Sequence, residues 1–258
     1  MSPRIVGPVL VGILALVLWE MVVRWADIPN YILPGPLTVG RTLIQDWSTL
    51  APALWITLVI TAKALVAAVV VGGALAVLFA QSKWIEASFY PYAIILQVTP
   101  IVAIAPLIVA WANDVDLSLL ICAWLVAFFP ILSNTIVGLN SVDRNLLDLF
   151  ELYGAGRWKT LLHLRLPAAL PFFLVGLRIS GGLALIGAVV AEFVAGAGGI
   201  ASGLAYRILE AGYQLKVPRM FAAVALISIA GILIFLVLSL LSHLLLRRWH
   251  ESALRPEA

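Results

Sequence analysis

Six apolar runs, each long enough to cross a bilayer, constrain this chain more than any other feature. They are 5–23, 54–80, 89–112, 117–139, 170–194 and 221–246. A spanning helix needs about 20 mostly apolar residues. Of the 258 residues only 11% are charged and 63% are hydrophobic, whereas a soluble domain carries about a quarter charged residues. That is too little polar surface to cover a globule in water, so lipid is the solvent for most of the chain. Strand-like alternation in segments of about ten residues is absent, which excludes an outer-membrane barrel. The expectation is an all-α membrane protein of six transmembrane helices with both termini on one side. It divides into an N-terminal helix and outer segment (1–50), a main membrane domain (51–247) with a polar loop at 141–167, and a short tail (248–258).

Loop charges set the orientation, because Lys and Arg favour the cytoplasmic side. Arg4, Lys83, Arg144, Arg157, Lys159, Arg165, Arg247, Arg248 and Arg255 fall on one side. The smaller set, Arg24, Arg41, Arg207, Lys216 and Arg219, falls on the other. The first side is expected to be cytoplasmic, with both termini and the 141–167 loop. Arg4 and the apolar run after it look like a signal peptide, but the run continues through Met21, Val22 and Val23 with no small-residue cleavage site, so a retained helix is expected. A net charge of +3 without a basic stripe gives no reason to expect nucleic acid. The single cysteine, Cys122, rules out a disulfide within the chain. No catalytic, cofactor-binding or metal-binding residue is expected.

The loop itself reads "ELYGAGRWKTLLHLRLPAALP" over 151–171. Asp143 is suited to cap a helix over 144–153. In that helix Leu146, Phe150 and Tyr153 share a face, with Leu149 beside them. Gly154 and Gly156 supply a turn where positive φ is cheap. A second short helix is expected over 158–164, with Pro167 and Pro171 then setting the approach to the fifth span. Such faces can lie on headgroups, pack under the chain's own bundle, or fill a groove on a partner. Physics alone favours the first two.

The segment resembles the cytoplasmic loop of permeases in binding-protein-dependent ATP-binding-cassette importers. The family pattern runs E-A-A, three residues, G, nine residues, I-x-L-P. Gly154 holds the glycine position, and Leu164, Leu166 and Pro167 fall where I-x-L-P belongs. Asp148 stands for the glutamate, while Leu149 and Phe150 replace the two alanines. The stretches "TPIVAIAPLIVAW" (99–111), "LPAALPFFLVGLRIS" (166–180) and "AEFVAG" (191–196) are similar to that family in the same order. The similarity covers about 54–246.

The resemblance implies a six-helix importer permease whose loop is a coupling helix seated on a separate ATPase. Asp148, Leu149, Phe150, Tyr153, Gly154, Leu164, Leu166 and Pro167 would form that contact. ATP and Mg would be bound by two cytoplasmic ATPase partners, a periplasmic binding protein would deliver the solute, and a second permease copy, most simply a homodimer, would complete the pathway in the inner membrane. The chain has no G-x-x-x-x-G-K-S/T of its own, and "GAGG" at 196–199 lacks the lysine. The solute would be a small anion or heterocycle such as nitrate, a sulfonate, taurine, a thiamine-precursor pyrimidine or riboflavin.

Lys63, Arg178 and Glu192 lie inside apolar runs, where ionisable groups are costly and mark candidate pathways. Lys63 suits either an anion in transit or a structural pairing. Arg178 is short of mid-membrane and fits reaching back to cytoplasmic phosphates. Glu192, near the outer end, fits a gate or a pair, and Gln97 with Ser133 and Asn134 are uncharged polar candidates. Small residues crowd the fifth run, with Ser180, Ala184 and Ala188 every four residues, a spacing that suits close packing within the chain or a seam between two copies. Two rivals are weighed against the importer. A secondary carrier driven by an ion gradient commonly shows an inverted repeat, which is not seen here. An intramembrane Ser-His hydrolase finds no G-x-S-x-G.

Overall fold

The structure, a computed structural model, describes residues 3–195 and 202–247. The glycine-rich 196–199 stretch and the 248–258 tail lie outside the described residues. Among those described, every regular element is helical. They are α1 (Pro3–Trp25), α2 (Pro36–Gln45), α3 (Trp47–Gln81), α4 (Lys83–Val98), α5 (Ile101–Ala112), α6 (Val115–Asn140), α7 (Arg144–Leu152), α8 (Arg157–Thr160), α9 (Leu166–Ala195), α10 (Leu204–Tyr213) and α11 (Val217–Leu246). The helices α1, α3, α6, α11 and the stretch Arg157–Ala195 are each long and apolar enough to cross a membrane.

The third apolar run departs from the expectation of one continuous helix. It is a broken pair, α4 and α5, bent by 98°. Thr99 is extended (φ −68°, ψ 122°) and Pro100 follows it without an amide to donate. A residue before proline is pushed out of the helical region, so α4 stops at Val98 and α5 starts in a new direction. The Ile95 carbonyl accepts from both Thr99 N at 3.1 Å and Thr99 Oγ1 at 2.6 Å, closing the last turn of α4.

The chain forms two compact units, Met1–Thr57 with Gly196–Ile229, and Leu58–Ala195 with Ala230–Ala258. In the first, Val39, Leu50, Ala53, Leu204, Ile208 and Leu226 form a small apolar core. Polar ties close it. Arg219 Nε donates to Asp46 Oδ2 at 2.6 Å, and Leu204 N, in the first turn of α10, donates to Thr57 Oγ1 at 2.9 Å. Glu20, passed over in the sequence because it sits inside the first apolar run, accepts from Arg24 Nε at 2.7 Å and from Leu37 N at 3.2 Å. Its carboxylate thus lies at the start of α2, where free amides and the helix dipole favour an anion. A Cβ on Gly35 would sit 2.6 Å from Glu20 Oε2, so glycine leaves room for that carboxylate.

In the second unit α6 packs along α9. The small residues of α9 make this seam. A Cβ on Gly187 would lie 2.8 Å from Ala123 Cα, and one on Gly138 of α6 would lie 2.8 Å from Ala169 Cα. Ser180 Oγ donates across it to the Ala127 carbonyl. Ala184 and Ala188 are 0% exposed within this one chain. Of the two uses open to the stripe, packing within the chain is the one observed for these two alanines.

Candidate functional site

The loop between α6 and α9 is shaped by its caps. Ser141 Oγ donates to the Gly138 carbonyl at 2.8 Å, ending α6. Asp143 Oδ1 accepts from Asn145 N at 2.9 Å, starting α7 as the sequence predicts. At the far end Gly154 N donates to Glu151 O and Ala155 N to Phe150 O, both at 2.9 Å. With Gly154 at φ +67° this is a Schellman cap, in which a left-handed residue satisfies the last carbonyls. The helix runs to Leu152, with Tyr153 as its cap rather than its last turn.

Apolar groups cover the outer face of this loop. Leu146 and Leu149 are exposed, Leu152 and Tyr153 are each 84% exposed, and Trp158 and Leu162 on the following turns are exposed too. Phe150, expected beside them, is half-buried, and Leu147 on the inner side is also half-buried. Leu152, Trp158 and Leu162 are the members that sequence reasoning missed, although the apolar content of "DLFELY" and "RWKTLLHL" carried the signal. Asp148, Gly154 and Pro167 are exposed, whereas Leu164 and Leu166 are half-buried.

The second short helix does not stop before the fifth span. After α8 the chain passes through one π turn, Leu161–Arg165, straight into α9. Leu166 N reaches back five residues to the Leu161 carbonyl. Pro167 lacks an amide and its ring would crowd the carbonyl four residues before, so a widened turn just ahead of it relieves both problems. The second helix of the loop and the fifth span are therefore one stretch of helix, Arg157–Ala195. Arg165 ties this turn to α3, donating from one guanidinium nitrogen to the Ala80 carbonyl at 3.2 Å. Two cavities flank Leu147 and Arg165. One, of about 730 Å³, also touches Lys83, Glu86, Tyr90 and Arg144, and the other, of about 510 Å³, touches Glu151 and Arg157.

The candidate pathway residues do not converge on one pocket. Lys63 is on the exposed face of α3, opposite the buried Thr57, Ala64 and Ala68. Gln97 is exposed and, with Thr99, Leu125 and Leu183, lines a hollow of about 370 Å³ at the α4–α5 break that the other three do not line. Arg178 is half-buried in α9, its Nε enclosed with no hydrogen-bond partner among the described residues. Glu192 is 4% exposed. Ser133 links α6 to α4, accepting from Tyr90 Oη at 3.3 Å, whereas Asn134 Nδ2 donates within α6 to the Pro130 carbonyl at 2.8 Å.

Known proteins match this sequence over nearly the whole chain. A family model described as "Binding-protein-dependent transport system inner membrane component" matches residues 68–251. The formylaminopyrimidine transport permease protein ThiX of Halalkalibacterium halodurans is 35% identical, the match covering 95% of this chain and 96% of that protein. The riboflavin transport system permease protein RibX of Chloroflexus aurantiacus is 34% identical over 93% of this chain and 88% of that one. A probable ABC transporter permease of Haemophilus influenzae is 33% identical over 94% and 98%. The apolar helices, the doubly capped polar helix between two of them and these full-length matches agree: the chain belongs to the inner-membrane components of binding-protein-dependent transport systems, and is a multi-pass permease subunit of an ATP-binding-cassette importer.

Proposed function

We propose that two copies of this chain enclose the solute pathway, that a cytoplasmic ATPase subunit seats on each α7–α8 loop, and that an external binding protein delivers the solute. The observation that carries this reading is the uncovered apolar face of a helix firmly capped at both ends. A capped helix that exposes Leu149, Leu152 and its capping Tyr153, with Trp158 of α8 exposed just beyond the turn, needs a cover. In this reading Asp148, Leu149, Phe150, Tyr153 and Gly154 meet the ATPase, which binds ATP and Mg. Leu164, Leu166 and Pro167 pass its movement into α9 without a joint. The loop and both termini then face the cytoplasm.

The solute is best read as a planar heterocycle of the pyrimidine or flavin kind. The relatives named for formylaminopyrimidine and riboflavin are 35% and 34% identical, against 29% and 24% for those named for taurine and nitrate. The test is uptake into vesicles holding the assembled importer with its binding protein. ATP-dependent uptake of a formylaminopyrimidine or riboflavin, and none of taurine or nitrate, is the expected result. Uptake without the ATPase subunit, driven by an ion gradient, would replace the importer with a secondary carrier.

Lys63 separates the solute classes. It stands on an exposed face of α3 with no salt bridge among the described residues. For a heterocycle without net charge, Lys63→Met should change uptake by no more than about twofold, the scale of a surface substitution. A fall of more than about tenfold at unchanged protein level, a loss of over 1 kcal/mol, would return an anion to the pathway.

The pairing of two copies has its own test. On α9 the exposed residues are Pro167, Val175, Ile179, Ile186 and Phe193, and Ile186 is the most exposed of its large apolar ones. Cysteines at Ile186 in two copies should cross-link, and cysteines at the enclosed Ala184 should not. A complex active with a single permease copy would overturn the dimer.

A further inference from the structure

We infer that the cavity of about 730 Å³ beside α7 binds the phosphate of an anionic membrane lipid, with its acyl chains lying along α4. The proposal rests on the cytoplasmic placement of the loop given above. Three cations line the cavity, Lys83 from the first turn of α4, Arg144 from the first turn of α7 and Arg165 from the π turn, against one carboxylate, Glu86. None of these four is in a salt bridge among the described residues. The pocket therefore carries excess positive charge that the chain itself leaves unanswered. Arg165 is already held by the Ala80 carbonyl, which fixes one guanidinium in place before any ligand arrives.

The shape selects an amphiphile over a free anion. Lys83, Ala87 and Tyr90 recur along one face of α4, so the wall runs from cations to an apolar strip over two turns, about 11 Å. Tyr90 is fixed by its hydrogen bond to Ser133. A phosphate alone would occupy a small part of this volume. Outside the cavity α4 shows Trp84, Phe89 and Tyr92 to its surroundings, a face suited to acyl chains with an interfacial tryptophan beside Lys83. Because Arg144 begins α7, a bound headgroup touches the element through which the ATPase would act.

The experiment uses the assembled importer in vesicles of phosphatidylcholine with a photoactivatable phosphatidylglycerol, and reads labelling of the permease peptide that contains Tyr90. Labelling should fall about fivefold for each cation removed in Lys83→Gln and in the Lys83→Gln, Arg144→Gln pair, the factor for about 1 kcal/mol per cation near an anionic surface. Glu86→Gln should raise it, a gain that misfolding cannot imitate. Equal labelling in all variants overturns the site. Loss of labelling on adding millimolar inorganic phosphate makes the ligand a free anion and overturns the lipid. Labelling that appears only after the ATPase is stripped away assigns the cavity to acidic ATPase side chains instead, and also overturns it. An impermeant thiol reagent that reaches Lys83→Cys from the outer side fails the orientation itself, a result distinct from any of these.

Discussion

Gly154→Val should abolish ATP-driven uptake while leaving the protein in the membrane at its normal level. The glycine sits at φ +67°, and a Cβ there would meet no atom within 4 Å. Space is not the obstacle. The cost lies in the backbone, since an L side chain in the left-handed region loses roughly 1–2 kcal/mol, and a β-branched one is a true outlier there. Relief comes by rotating Gly154 to negative φ, which breaks the bonds from Gly154 N and Ala155 N to Glu151 O and Phe150 O. α7 then loses its stop, and its apolar face turns relative to α8. Gly154→Asn is the control, because asparagine tolerates this conformation. Uptake should survive largely in Asn, fall by more than about tenfold in Val, and fall together with co-purification of the ATPase. Normal uptake in the valine variant would sink the assignment of this loop to coupling.

The spans and the loop were legible because each is written locally. Apolar runs of the right length, an aspartate ahead of a periodic segment and a glycine after it carry their structure within a few residues. The bend at Thr99 and Pro100 was not. The run is apolar on both sides of it, and Pro91, Pro106 and Pro130 sit inside helices without ending them, so the sequence offers several prolines and no means of choosing one. The π turn escaped for a related reason. The two prolines read as punctuation, yet one widened turn lets the helix run on. Glu20 was hidden by its surroundings, since its partners are four and seventeen residues away and only the fold brings Leu37 N to it. Lys63 shows the limit for single charges. Hydropathy places it deep in a span, but which way it faces follows from packing that leaves it exposed.

Gly176→Val should remove the protein from the membrane altogether. In α9 a Cβ at Gly176 would lie 2.7 Å from the Pro130 carbonyl oxygen, 3.1 Å from Asn134 Cβ and 3.3 Å from Ile131 Cα. Two of those three atoms are backbone, so no side chain can swing away and the helices must separate. Separation would also strain the Ser180 bond to the Ala127 carbonyl one turn further on, and the close approaches at Gly138 and Gly187 along the same seam. Overpacking of ordinary cores costs about 1–3 kcal/mol, and backbone pressed on backbone should exceed that range. In lipid the loss is not offset by a hydrophobic drive between helices, because association there depends on close van der Waals fit. Gly182→Val tests the reasoning in the same helix, since a Cβ at Gly182 meets nothing within 4 Å. Quantified in membranes by an epitope tag, Gly182→Val should accumulate like the parent and Gly176→Val should be degraded. Equal accumulation of the two would mean that α6 and α9 do not approach as closely as described.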